Sequence, residues 1–165
     1  MSLPTLDSLQ KLQTALHAKA KGESKFPSVP EQTFDFLGHT FGRCYRARTG
    51  EPYLGTRPRR AKIRELCESV REQTSRRFLR LDAEEQVGCL NRSLIGWANY
   101  FCLGSVSKAY RAVDAYVASR LRRWLCEKHK IRNAGITRFP DSYLVETLGL
   151  TRLWKRTRNL PWAKA

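Results

Sequence analysis

Residues 94–116 read LIGWANYFCLGSVSKAYRAVDAY, and the architecture turns on how this run is parsed. Upstream of Leu103-Gly104, Leu90, Leu94, Trp97 and Phe101 recur at helical spacing; downstream, Val113, Val117, Leu121 and Trp124 do the same. One helix therefore ends at the glycine and a second begins behind it, with Ser105 or Ser107 as its N-cap. With the helix before them, two such apolar stripes joined by so short a connection make a small bundle. Trp97, Tyr100 and Phe101 are read as the core seam between the two helices, the alternative being a platform on which bases stack. Gly96 is expected where the helices approach closely, and Asn99 is expected to satisfy backbone or loop polar groups near the turn.

Working outward, Asp82 and Glu85 form a D-x-x-E start signal for the first of these helices. Before it, Ile63, Leu66, Cys67, Val70 and Thr74 share a stripe, which predicts a helix over about 59–78 opened by Pro58. After the second helix of the quoted run, Asn133-Ala134-Gly135 reads as a loop. Pro140-Asp141 then starts a short helix through Leu148 that Gly149 terminates. The last sixteen residues carry five basic groups and no acid, with Trp154 and Trp162 among them. Further upstream, Phe34, Phe36, Phe41 and Tyr45 favour strands and Arg48-Thr49-Gly50-Glu51-Pro52 supplies turn chemistry, so residues 33–46 are expected to pair with 53–56. Residues 1–30 form a variable segment: a short amphipathic helix on Leu6, Leu9, Leu12 and Leu16, then a proline-containing linker. The fold class is mainly α, a small three-helix bundle preceded by a β-hairpin and followed by a short C-terminal helix and basic tail. The expected division is 1–30, 31–58 and 59–165.

A chain of 165 residues with 41% hydrophobic and 28% charged residues is one globular domain, or one with a small appendage. Its 31 basic and 15 acidic side chains leave a net charge of +16. That excess calls for a polyanionic partner, nucleic acid first and an anionic membrane surface second. No run of about 18 apolar residues exists to span a bilayer, and the N-terminus lacks the pattern of a secretory signal. Cys44, Cys67, Cys89, Cys102 and Cys126 are odd in number and scattered, which suits reduced thiols in a cytoplasmic protein. Cys126 and His129 have CxxH spacing without a second pair, so no metal site is expected, and no cofactor.

The charge is clustered. Nine basic and three acidic residues lie between Arg57 and Arg80, seven and one between Arg120 and Arg138. Arginine predominates, and its planar fork suits bidentate phosphate contacts. The candidate contacts are Arg57, Arg59, Arg60, Lys62, Arg64, Arg76, Arg77 and Arg80 in the first cluster. In the second they are Arg120, Arg122, Arg123, Lys128, Lys130 and Arg132, with Arg120, Arg122 and Arg123 expected as an outward stripe. Catalytic constellations are missing: no phosphate-binding G-x-x-x-x-G-K-[ST], no G-x-S-x-G, and three isolated histidines. The chain alone is not expected to be an enzyme.

FDFLGHTFGRCY, YLGTRP, the D-A-E-E helix start, LNRSLIGWANYF, SKAYRAVDAY and TRFPDSYLVETLGL…RTRNLPWAKA occur here in one order. Together they resemble the C-terminal part of bacterial group II intron reverse transcriptases: the last palm strands and the maturase-specific, or thumb, domain. The resemblance covers roughly residues 31–165. It implies that Phe36, Leu37 and Gly38 correspond to the primer grip and that the helices hold template–primer duplex or intron RNA. The family's Y-A-D-D catalytic strand has no counterpart in these residues, nor does an HNH-type endonuclease. The leading expectation is an RNA-binding module for group II intron RNA that assists splicing. The others are a thumb subunit completing a separately encoded fingers–palm fragment, and a decayed remnant of a mobile element.

Overall fold

The computed structural model describes residues 32–46, 48–131 and 135–157. The chain divides into two compact units, Met1–Thr56 and Arg57–Ala165. The expected N-terminal helix, Arg132, the Asn133-Ala134 loop and the tail with Trp162 lie outside the described residues.

The β-sheet holds three strands in the order β1-β2-β3: β1 (Phe34–Phe36), β2 (His39–Tyr45) and β3 (Pro52–Pro58). The expected single strand over 33–46 is thus broken in two. Leu37 and Gly38 both have positive φ, 47° and 79°, forming a two-residue turn that reverses the chain. Glycine takes that backbone freely and leucine does not, which is why the reversal was not anticipated. β1 and β2 are antiparallel with Phe34 opposite Phe41, their rings stacked at 5.1 Å. The second connection runs through the anticipated turn: the amide of Gly50 donates to the Arg46 carbonyl and that of Arg46 to the Glu51 carbonyl.

Three helices build the larger unit: α1 (Arg60–Gln73), α2 (Ala83–Tyr100) and α3 (Ser107–Lys128). α1 stops five residues before the expected end, and Arg76–Phe78 form a separate 3₁₀ turn. Pro58 closes β3 rather than opening α1, whose N-cap is Arg59. Asp82 and Glu85 do form a capping box at the start of α2. Neither Ser105 nor Ser107 caps α3; the N-cap is Val106, which is buried.

The core is the stripe pattern made solid: Leu66 and Val70 from α1; Val87, Leu90 and Leu94 from α2; Val113, Val117, Leu121, Trp124 and Leu125 from α3. α3 is the central element, packed against α1 on one side and the C-terminal segment on the other. α2 packs against α1. That segment contains α4 (Gly135–Arg138), a single turn at Tyr143–Thr147 and α5 (Leu153–Arg156). The short helix expected from Pro140-Asp141 through Leu148 is present over 141–147, wound wider than expected at Tyr143–Thr147, where the Leu148 amide reaches back five residues to the Tyr143 carbonyl at 3.1 Å.

The aromatic run closes the α2–α3 corner. Trp97 lies 4.8 Å from Phe101 and 5.9 Å from Tyr110, ring centre to ring centre. The Tyr110 hydroxyl is within hydrogen-bonding distance of the Ala98 and Phe101 carbonyls, 2.9 and 3.1 Å away, so it caps the end of α2. Burial pushes its pKa up to about 12. Three expectations here need correction. Tyr100 is 55% exposed and so is not core, although Phe101 is buried and Trp97 packs against the core. Gly96 is exposed, and a methyl group built on it would meet nothing within 4 Å, so it marks no helix contact. Asn99 takes the Arg156 guanidinium at 2.8 Å, a partner 57 residues away rather than a nearby backbone group.

Candidate nucleic-acid interface

At 100° per residue, Arg60, Arg64 and Arg71 fall within about 40° of one another around α1. All three are exposed. Arg57 and Arg59 precede the stripe and are exposed too. Arg57, Arg60 and Arg64 make no hydrogen bond or ion pair among the described residues, whereas Lys62 is paired with Glu65 at 2.7 Å. The apolar stripe of Leu66 and Val70 faces α2 and α3, which leaves the arginine stripe to solvent.

The chain then enters the 3₁₀ turn, where side chains of α3 hold it. Lys128 donates to the Leu79 and Leu81 carbonyls at 3.1 and 2.7 Å while its ammonium sits 5.5 Å from the Trp124 ring centre. Glu127 takes Arg76 on one carboxylate oxygen and Arg123 on the other, both at 3.4 Å. Pinned in this way, the turn presents Arg77 and Arg80, both exposed and without a hydrogen bond or ion pair among the described residues. Lys130 lies just past the end of α3, likewise exposed and unpaired. The result is a basic corner with several guanidinium forks aimed at water.

The candidates accordingly separate. Arg57, Arg60, Arg64, Arg77, Arg80 and Lys130 keep their side-chain donors unpaired among the described residues. Arg123 is 70% exposed and Arg76 85%, each lightly tied to Glu127. Arg120 is committed elsewhere: its Nε donates to the Thr74 hydroxyl at 3.1 Å and its Nη2 lies 3.4 Å from the Arg71 and Thr74 carbonyls. It staples the C-terminus of α1, where a positive charge also opposes the helix dipole. Arg122 points the other way, donating to the Phe139 carbonyl at 2.9 Å and to Asp141. Arg120, Arg122 and Arg123 therefore form no common outward stripe, because their angles around α3 differ by about 60° to 160° at that helical pitch. Phe36, Leu37 and Gly38 occupy the β1–β2 reversal, with Phe36 and Leu37 strongly exposed.

Two anchors of the C-terminal segment escaped the sequence reading. Asp114 is buried on α3 and accepts the backbone amides of Leu153 and Trp154 at 2.9 and 3.0 Å. Burial raises its pKa, partly opposed by those amides and by the charge of Arg152. The signal was an acid on the apolar stripe, between Val113 and Val117. Asn91 donates to the Gly149 carbonyl and accepts the Thr151 amide, both at 2.9 Å.

Among the described residues no helix is long and apolar enough to cross a membrane, and no group of three His, Cys, Asp or Glu side chains is placed to hold a metal. The five cysteines are free and half-buried. Residues 63–139, which run from α1 through α3 to Phe139, match the family model for the group II intron, maturase-specific domain. No curated protein matches the chain.

Proposed function

We propose that this chain, whose residues 63–139 match the group II intron maturase-specific domain, binds structured group II intron RNA and assists its splicing. The observation that carries the reading is the set of exposed, unpaired guanidiniums on α1 and the following turn, Arg60, Arg64, Arg77 and Arg80, fixed by a packed helical core. RNA duplex hides its base edges in a deep groove, so it is recognised by phosphates, 2′-hydroxyls and shape, which a rigid arginine-bearing surface can engage. Helical scaffolding matters here because it fixes where each arginine leaves the backbone, while the exposed, unpaired fork stays free to adapt to a phosphate.

By itself the chain performs no polymerase chemistry. Nucleotide transfer requires carboxylates that hold divalent metal ions at the primer end. Asp35, the one acid of β1 and β2, accepts the Thr40 hydroxyl at 2.6 Å and has no acidic neighbour on either strand. A gel-shift titration with intron RNA, run beside primer extension in magnesium and nucleotides, tests both halves. Shift without extension is the expected result; extension that disappears in Asp35→Asn would sink the non-enzymatic half, and absence of any shift the binding half.

A second reading has one observation in its favour. β1 is an edge strand of the described sheet, and the turn beside it leaves Phe36 51% and Leu37 67% exposed. An edge strand flanked by exposed apolar side chains can dock another strand-bearing chain. In that reading the chain supplies the thumb to a fingers–palm polypeptide, and extension appears only when such a fragment is added.

A further inference from the structure

Around α3 the basic corner has a counterpart. Arg111, Ala115, Ala118 and Arg122 fall within about 60° of one another at 100° per residue, and they lie on the side of α3 away from Arg120, Arg123 and Glu127. With Arg152 and Trp154 from the C-terminal segment they line an open cleft of about 340 Å³. The alanines keep α3 low at this point, and the volume is at the lower end of that of small-ligand sites.

We propose that this cleft is a second anion site, built to take a phosphate group. Three guanidiniums line it against a single solvent-facing carboxylate, Asp141. The other acid, Asp114, has both oxygens engaged by the amides at the start of α5. Asp141 does not cancel the arginines so much as set them. One of its oxygens takes Arg122 and the other takes Arg152 at 2.8 Å, while Arg122 Nε is further fixed on the Phe139 carbonyl. The side chains of Arg122 and Arg152 are only 16% and 12% exposed, so both forks are held in place with N–H donors to spare. Arg111 completes the set as an exposed guanidinium with no hydrogen bond or ion pair among the described residues. Phosphate suits two fixed forks and one adaptable one, because each can donate in pairs to its oxygens. Trp154, half-buried along the same cleft, offers an apolar wall to the sugar or base that an RNA phosphate would carry.

The chemistry has two sources, an RNA phosphodiester and free phosphate, and the first rests on the RNA-binding reading above. The variants are Arg111→Ala and Ala115→Glu, both at exposed positions outside the core and outside the basic corner. In the RNA arm, log affinity is plotted against log salt for intron RNA. If the cleft holds a backbone phosphate, each variant lowers the slope by about 1, additively with Arg77→Ala on the opposite face. In the phosphate arm, the melting temperature is followed as inorganic phosphate replaces chloride at fixed ionic strength. Free phosphate as the ligand gives a rise for the wild-type chain that Ala115→Glu abolishes, with the RNA slope unchanged. Variants that match the wild type in both arms overturn the site. A wild-type chain that binds no RNA overturns the RNA-binding reading instead, and the phosphate arm then decides the cleft by itself.

Discussion

Arg120 distinguishes a structural arginine from a ligand-binding one, so Arg120→Met is the substitution that probes the basic corner most sharply. Methionine keeps an aliphatic stem and removes the fork. One well-formed contact is lost, Nε to the Thr74 hydroxyl at 3.1 Å, along with two longer ones of 3.4 Å to the Arg71 and Thr74 carbonyls. A hydrogen bond from a charged donor contributes about 1.5–3 kcal/mol, and the charge at the end of α1 about 0.3–1 kcal/mol, partly the same interaction. The expected loss is about 2 kcal/mol, which for a domain of this size lowers the melting temperature by about 10 °C. Arg64→Met is the control. Its guanidinium is exposed and unpaired, so stability should change by no more than about 0.5 kcal/mol. Thermal melts by circular dichroism, followed by RNA titration well below both melting temperatures, separate the two. Arg120→Met is expected to melt early yet bind RNA normally once folded, and Arg64→Met to melt normally and bind less well. If Arg120→Met melts with the wild type and loses RNA affinity, the staple is no staple and the assignment of the corner's arginines is wrong.

Other substitutions test the packing. Phe101→Ala should cost about 3–5 kcal/mol and Tyr100→Ala less than about 0.5 kcal/mol, because only the first ring is buried; equal losses in urea melts would contradict the corner geometry. Tyr110→Phe removes the buried hydroxyl that caps α2 and should cost about 1–3 kcal/mol, measurable as a lower urea midpoint with an unchanged slope. At Asp141, desolvation acts to raise the pKa, but the hydrogen bonds and charges of Arg122 and Arg152 together outweigh it and hold the pKa below the ordinary carboxylate value. The folded state thus gains from this group above its ordinary pKa of about 4 and loses that gain as pH falls through the lowered value. Asp141→Asn should be less stable than the wild type at neutral pH, with the difference narrowing on acidification below pH ~4; a constant difference would exclude the linkage.

How far the sequence disclosed this molecule depended on the range of each interaction. α3 was legible because Val113, Val117, Leu121 and Trp124 repeat a local period, and the start of α2 because Asp82 and Glu85 cap within one turn. Reading Tyr100 together with its aromatic neighbours misplaces it, because the helical period turns it about 100° away from Phe101 and off the stripe of Leu90, Leu94 and Trp97. The turn at Leu37-Gly38 was hidden by a leucine in a backbone conformation that its side chain disfavours. For the site, the sign and density of charge were on the surface of the text. The fate of each arginine was not: Arg120 finds Thr74 across 46 residues and Asn99 finds Arg156 across 57. Composition says how many forks there are, and only the packing of α3 against α1 and the C-terminal segment says which of them remain free.

The central claim, an electrostatic RNA surface on α1 and the turn after it, is tested most directly by the salt dependence of intron RNA affinity for the wild-type chain and for a variant with Arg60, Arg64, Arg77 and Arg80 all replaced by alanine. Engagement of about six phosphates predicts a fall in affinity of roughly a thousandfold between 50 and 200 mM salt. The quadruple variant should melt with the wild type and show a log–log slope smaller by about 4. An affinity indifferent to salt, or a quadruple variant with the wild-type slope, would contradict the claim.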